Sequence, residues 1–267
     1  MKMDTSNYKD EFNQINKILE SYNLNSLKDS LLFANKSKSK LPNLVNIPQY
    51  HNIVGLINFR LNDLEKSILH FEKAINLNPN FYSAYYNLGL LFFKTENLKK
   101  SYSYLNKAIT IKQDYAEAYY NMANALQGLG DLGQAIEAYQ NAIDIRPDYA
   151  EAYHNMGSAF QDEGKLDQAK EAYNSAIIFK PDYVMAFHHL SVIKTFAVGD
   201  PQIKRLEKLI SDPKLTDIDR CRLFFVSAKV QEDLGLLDKS IRDLKAGGDL
   251  RKNLLNYQIQ QDRRLFA

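Results

Sequence analysis

Apolar residues recur along most of this chain at the three- and four-residue spacing that is typical of an α-helix. In the clearest case they form one predicted buried stripe: Ala135, Ile136, Tyr139, Ala142 and Ile143. The predicted helices come in pairs joined by a tight turn, and several pairs end at a proline: "NPN" at 78–80, "RPD" at 146–148 and "KPD" at 180–182. Because proline cannot continue a helix, these breaks separate successive units, and the whole pattern predicts an all-α chain.

The helix pairs repeat with a period of 34 residues, and the stretches 115–148 and 149–182 are identical at 20 of 34 aligned positions. Four units are predicted: 48–81, 82–115, 116–149 and 150–183. We expect residues 1–47 to form a degenerate helical cap and residues 184–267 to form a diverged helical region. A fixed period of this length is typical of an α-solenoid built from antiparallel helix pairs.

Small residues occupy the places where the two helices of a unit must approach each other. Counted from the first residue of a unit, position eight is Gly55, Gly89, Ala123 and Gly157. Position 24, on the second helix, carries the bulk that fills the space between units: Phe71, Leu105, Tyr139 and Tyr173. A larger side chain at position eight would force the helices apart.

The period and these positions resemble the tetratricopeptide repeat (TPR) family. That resemblance implies a right-handed TPR superhelix with a concave groove. It also implies that the first helix of each unit lines the groove, with positions two, five, six, nine, twelve and thirteen facing inward. A scaffold that binds a protein or an extended peptide is the function that the resemblance favours.

The C-terminal part has a further resemblance. Four segments look like the region between the repeats and the catalytic domain of bacterial TPR-containing sulfotransferases: "HHLSVIKTFAVGDPQI" at 188–203, "LISDPKLTDIDRCRL" at 209–223, "EDLGLLDKSIRDL" at 232–244 and "LRKNLLNYQIQQDRRLF" at 250–266. This similarity supports an alternative function, a truncated or split sulfotransferase whose repeats recruit protein substrate for a separate catalytic domain. A downstream reading frame that encodes such a domain would decide between the two.

We expect this chain to be no enzyme and to need no cofactor. The only glycine-containing helix start worth considering as a phosphate loop is "VGDPQ" at 198–202, where Asp200 would repel phosphate and Pro201 lacks an amide donor. Two consecutive glycines, Gly247 and Gly248, are expected to break or bend the last long helix, because each costs about 1 kcal/mol inside a helix.

The composition adds little chemistry to this picture. A net charge of +2 gives no electrostatic reason to expect nucleic acid or an anionic membrane as a partner. A single cysteine, Cys221, excludes an internal disulfide and cannot alone form a cysteine-based metal site. There is no apolar run long enough to span a bilayer, and the first residues lack the apolar centre of a signal peptide, so a cytoplasmic protein is expected.

The candidate binding residues begin with an asparagine at position six of three units: Asn87, Asn121 and Asn155. An amide both donates and accepts hydrogen bonds, so such a ladder can pair with the backbone of an extended peptide. Similar ladders occur in the TPR superhelix of O-linked N-acetylglucosamine transferases. The alternative interpretation is that these asparagines satisfy local helix ends or solvent, or reflect a consensus-like repeat.

Other residues at inward positions complete the predicted peptide-binding groove: Tyr86, Tyr120, His154, His188, Asn124, Glu117 and Glu151. The glutamates predict a peptide segment of basic character near the later repeats. His154 and His188 occupy equivalent positions in adjacent units. The repeat spacing places no third carboxylate or thiol ligand beside them, so we expect no metal. Self-association through the exposed solenoid ends is a further prediction, which rests mainly on Leu254, Leu255, Ile259, Leu265 and Phe266.

Overall fold

The structure, a computed structural model, describes residues 24–40 and 45–255. This part of the chain contains thirteen α-helices and no strand: α1 (Leu24–Lys40), α2 (Pro48–Arg60), α3 (Leu64–Leu77), α4 (Tyr82–Lys94), α5 (Leu98–Ile111), α6 (Ala116–Gly128), α7 (Leu132–Ile145), α8 (Ala150–Asp162), α9 (Leu166–Phe179), α10 (Val184–Ile193), α11 (Pro201–Ile210), α12 (Asp217–Asp233) and α13 (Leu237–Leu254). The prediction of an all-α fold is confirmed.

The chain divides into two compact units between Ile145 and Arg146. The first contains three helix pairs, α2 with α3, α4 with α5 and α6 with α7. The second contains the pair α8 and α9, the shorter helices α10 and α11, and a final pair, α12 and α13. The division of the sequence into a cap, four repeats and a diverged region stays a prediction.

The tight turn inside each pair follows a repeated backbone plan. The middle one of its three residues has a left-handed conformation, with φ of 63° at Asn62, 58° at Glu96 and 83° at Gly130. The next residue caps the second helix by accepting a hydrogen bond from an N–H three residues later, as Asp63 and Asn97 do. Each turn therefore ends one helix and starts its antiparallel partner within three residues.

The helices of a pair approach closely at position eight. The Ser67 hydroxyl donates a hydrogen bond of 2.9 Å to the carbonyl of Gly55, and Ser101 does the same to Gly89 at 2.9 Å. A Cβ on Gly89 would lie 2.5 Å from Cγ of Leu105. The small residues thus let a hydroxyl reach the facing backbone and let the large residue at position 24 fill the space above it.

Of the break or bend predicted at Gly247 and Gly248, the break is wrong, because α13 runs through both residues without interruption. Gly247 is buried where α13 crosses α12: a Cβ there would lie 3.2 Å from Cβ of Phe224 and 3.4 Å from the carbonyl oxygen of Cys221. The Cys221 thiol donates to the Gly247 carbonyl at 3.3 Å. Close packing therefore offsets the poor helix propensity of Gly247.

The two glycines provide a matched pair for a stability measurement. A Cβ on the exposed Gly248 would meet no atom within 4 Å, so Gly248→Ala should raise the free energy of unfolding by about 0.5–1 kcal/mol. Gly247→Ala should give no such gain, because its methyl group would press on Phe224. Urea denaturation of the two variants and the wild type measures the difference, and an equal gain in both would contradict this account of the helix contact.

Candidate functional site: the polar face of the first helices

Side chains at positions five and six of neighbouring first helices touch each other. Asn87 Nδ2 on α4 donates a hydrogen bond of 2.8 Å to Asn52 Oδ1 on α2. Asn121 Nδ2 on α6 donates to the Tyr86 hydroxyl on α4 at 3.2 Å. In both cases position six meets position five of the preceding repeat, and we refer to these pairings as the six-to-five contacts.

A six-to-five contact also occurs in the second compact unit. The ring centroids of His189 on α10 and His154 on α8 lie 4.9 Å apart, with an angle of 33° between the ring planes. The sequence analysis paired His154 with the equivalent His188 and missed His189. His189 lies 35 residues after His154, the same separation as in the other two six-to-five contacts. His188 instead packs its ring against His189, at 5.6 Å.

The three asparagines of the predicted ladder differ in their surroundings. Asn87 is only 8% exposed. Asn121 is half-buried and gives a second amide hydrogen bond, of 2.7 Å, to the carbonyl of Glu117. Asn155 accepts a hydrogen bond from His154 Nδ1 at 3.0 Å. The amide hydrogens of Asn87 and Asn121 are therefore used in contacts within the repeats.

The oxygen of Asn121 has a different role from its amide nitrogen. The side chain donates two hydrogen bonds from Nδ2, and Oδ1 accepts none from the described residues. Since an amide oxygen is a strong acceptor, Asn121 can receive a hydrogen bond from a bound peptide N–H while Nδ2 stays fixed. The structure thus narrows the predicted donor-and-acceptor role of this residue to that of an acceptor.

The remaining predicted groove residues line the same face. The ring of Tyr120 lies 6.0 Å from that of Tyr139, whose hydroxyl donates to Asn124 Oδ1 at 2.6 Å. Glu117, Tyr120 and Asn124 are half-buried, and each has contacts within the protein. This face is consequently built from polar and aromatic groups whose orientations are largely set by their neighbours.

Glu151 does not offer an uncompensated negative charge to a ligand. Lys180 Nζ lies 2.9 Å from its carboxylate. Burial alone would raise the pKa of Glu151, but the hydrogen bond and charge of Lys180, with a backbone hydrogen bond and the charge of Arg146, lower it overall. The structure therefore gives no support from Glu151 to the predicted preference for a basic peptide.

A repeated cation–tyrosine pair is a feature that the sequence analysis missed. The cation at position 31 lies over the ring at position 34 of the same repeat, three residues later. The distances to the ring centroid are 5.2 Å for Lys112 over Tyr115, 4.4 Å for Arg146 over Tyr149 and 4.9 Å for Lys180 over Tyr183. The sequence signal recurs every 34 residues. It is a basic residue followed by glutamine or proline, then aspartate and tyrosine.

The histidine cluster of the second unit is held in its neutral form. Burial lowers the pKa of His154, and burial together with the charges of His154 and His188 lowers the pKa of His189 to about 4. Burial and the nearby Arg222 lower the pKa of His188. Among the described residues, no group of three potential ligands is placed to hold a metal ion.

This cluster predicts a loss of stability on mild acidification. The unfolded histidines bind protons near their ordinary pKa of 6.5, whereas folded His189 resists protonation until about pH 4. The unfolded state therefore binds more protons in this window, so the free energy of unfolding should fall as the pH falls from 6.5 towards 4. Thermal unfolding at a series of pH values tests this: His189→Gln should flatten the decline, and an unchanged profile would contradict the prediction.

Sequence comparison identifies the repeats. The chain matches the family described as TPR repeat at residues 55–96 and 128–164, and the family described as tetratricopeptide repeat at residues 82–115 and 150–183. The chain contains TPR repeats. No curated protein sequence matches it.

Solved TPR structures share the fold of this TPR chain. A MamA structure covers 76% of this chain and 98% of its own, with 21% identity and a TM-score of 0.51. Residues 41 to the end of MamA from Desulfovibrio magneticus RS-1 give 22% identity, coverages of 66% and 96%, and a TM-score of 0.56. YrrB, described as a TPR protein with an unusual peptide-binding site, gives 18% identity, coverages of 82% and 97%, and a TM-score of 0.54.

These similarities establish a TPR-type solenoid of helix pairs, and proteins of this type generally act in protein interaction. Within residues 24–40 and 45–255, no helix combines the length and the apolar character that crossing a membrane requires.

Proposed function

We propose that this TPR chain is a non-catalytic scaffold that binds an extended peptide or protein segment along the polar face of its first helices. The observation that carries this proposal is the arrangement around Asn121. Its amide nitrogen is held by Tyr86 and Glu117 on the protein side, and its oxygen stays available as an acceptor. A fixed acceptor of this kind loses little entropy on binding a peptide N–H.

Neighbouring side chains extend this surface. Tyr86 and Tyr120 lie on adjacent first helices, and both are half-buried. Aromatic side chains with few rotatable bonds provide contact area at low entropic cost. The peptide-binding site in the description of YrrB, a protein of the same fold, is consistent with this use of a TPR surface.

The decisive variants are Asn121→Ala and Asn121→Asp. Purified protein would first be used to select binders from a phage-displayed library of random twelve-residue peptides, and a selected peptide would then be titrated against each variant. Asn121→Ala should weaken binding about 3- to 10-fold, which corresponds to one hydrogen bond. Asn121→Asp keeps an acceptor oxygen, but its second oxygen replaces Nδ2 and faces the Glu117 carbonyl, so this variant should lose the fixed orientation and bind more weakly than the wild type.

Two outcomes would contradict the proposal: recovery of no peptide by the folded wild-type protein, or equal affinity in wild type and Asn121→Ala. The triple variant Asn87→Ala, Asn121→Ala and Asn155→Ala is less informative. It also removes hydrogen bonds that hold Asn52 and His154, so lost binding could reflect lost stability.

Two predictions from the sequence stay open beside this proposal. The recruitment of substrate for a separate sulfotransferase domain would use the same peptide-binding face. For self-association, Leu254 and Leu255 are 43% and 66% exposed, while Ile259, Leu265 and Phe266 lie outside the described residues. Light scattering over a range of concentrations tests self-association, and a strict monomer would contradict it.

A further inference from the structure

In the repeat that begins at Ala150, the cation at position 31 is paired with a carboxylate of the same repeat. Lys180, at position 31, lies over the Tyr183 ring and forms an ion pair of 2.9 Å with Glu151, at position two. The cation, the ring and the carboxylate together form a compact arrangement at the start of the first helix. This repeat therefore shows what kind of group the position-31 cation accepts as a partner.

The repeat that begins at Tyr82 has the cation and the rings but lacks the carboxylate. Lys112 Nζ lies 5.1 Å from the Tyr82 ring centroid and 5.2 Å from that of Tyr115. Position two is occupied by Ser83 in place of a glutamate. Within the described residues, Lys112 forms no ion pair. Its ammonium group is stabilised by cation–π contacts with the two tyrosine rings.

The aromatic surroundings of Lys112 are well fixed. The Tyr115 ring packs against Tyr82 at 5.5 Å and against Tyr86 at 4.8 Å. Burial, with smaller contributions from Tyr86, Glu117 and Tyr82, raises the pKa of Tyr115 well above its ordinary value, so this ring stays neutral beside the lysine. The half-buried ammonium group is thus held in place without a neutralising anion.

Lys112 also lies next to the proposed peptide-binding surface. Its ring neighbour Tyr115 touches Tyr86, and the Tyr86 hydroxyl accepts the hydrogen bond from Asn121. A peptide that donates an N–H to Asn121 would therefore pass close to this ammonium group. A carboxylate of the bound peptide could therefore reach Lys112, which has no carboxylate partner within its own repeat.

We infer that Lys112 binds an aspartate or glutamate carboxylate of the peptide ligand, in the place that Glu151 fills in the later repeat. The inference rests on the proposed function and adds a sequence preference to it. It also reverses the expectation of a basic ligand, since the glutamate of the later repeat is already paired and the lysine of the earlier repeat is not. A charge-assisted contact to a carboxylate is stronger than a neutral hydrogen bond.

The test uses the peptides that the wild-type protein selects from the random library. They should share an acidic residue at one position, and replacing that residue by its amide should weaken binding about 10- to 100-fold, the effect of losing a hydrogen bond to a charged group. With Lys112→Met, the acidic peptide and its amide version should bind equally. The exposed Lys99, on the second helix of the same repeat, supplies the control: Lys99→Met should keep the full preference.

Ser83→Glu gives a second, independent readout. It supplies the carboxylate from within the protein, so it should abolish the preference for acidic peptides while the fold is retained. The introduced carboxyl should titrate below the ordinary glutamate range, and Lys112→Met should remove that shift. Selected peptides without any acidic preference would overturn the inference and leave the proposed function intact, whereas recovery of no peptide would overturn both.

Discussion

Replacement of Phe71 by alanine should lower the free energy of unfolding by about 3–5 kcal/mol, the largest single effect expected in this protein. Phe71 is fully buried and packs with Leu88 and Leu91 of the next first helix. Its removal takes away the apolar contact that joins one repeat to the following one, and the surrounding helices can close the cavity only in part. Urea denaturation followed by circular dichroism measures the loss.

The matched control for this substitution is Phe93→Ala. Phe93 lies on a first helix of the same compact unit and is 37% exposed, so the same change of side chain should cost far less there. A small effect at Phe71, or equal effects at both positions, would contradict the assignment of position 24 as the residue that fills the space between repeats.

The second large effect is expected for Gly89→Leu, which should destabilise the protein by about 3 kcal/mol. The first added carbon would already lie 2.5 Å from Cγ of Leu105, and the rest of the side chain has no space between the two helices. The variant must push α4 away from α5 and break the hydrogen bond from Ser101 to the Gly89 carbonyl.

Gly133→Leu is the control for helix propensity, since a Cβ on this exposed glycine of α7 would meet nothing within 4 Å. It should leave stability unchanged or raise it by up to about 1 kcal/mol. Thermal unfolding of both variants separates crowding from propensity. If both variants were destabilised equally, the close helix contact at Gly89 would not be the cause.

Much of the fold can be predicted from the sequence because the helical period and the repeat period both leave direct traces. Of the predicted stripe, Ala135, Tyr139, Ala142 and Ile143 are buried in α7 and Ile136 is half-buried. The side chains of Asp200 and Thr216 cap the starts of α11 and α12. These features depend on local spacing and local hydrogen bonds. Local spacing and local hydrogen bonds are determined by residues that are neighbours in the chain, so they can be recognised in the sequence.

The failures have a different cause, since each depends on contacts between elements. Gly247 stays helical because α12 lies against it, and propensity alone gives no information on that contact. His189 meets His154 because neighbouring first helices are offset by one residue, a geometry that equivalent positions in the sequence do not reveal. The pairing of Lys180 with Glu151 joins the two ends of a repeat in the same way.

The candidate site also shows how a repeated residue can have two roles at once. The amide nitrogen of Asn121 connects two first helices through Tyr86. Its oxygen is the part that a ligand can use. A repeated polar residue on a TPR surface is thus compatible with stability and with binding, and only a variant that separates donor from acceptor distinguishes the two.

The central claim is that the polar face of the first helices binds an extended peptide. The most direct measurement is an NMR titration of the isotope-labelled protein with a peptide selected from the random library. The account predicts that the side-chain amide signals of Asn121 and the backbone signals of α4 and α6 shift, while those of the second helices α5 and α7 stay in place. Shifts confined to the second helices, with the Asn121 signals unmoved, would contradict it.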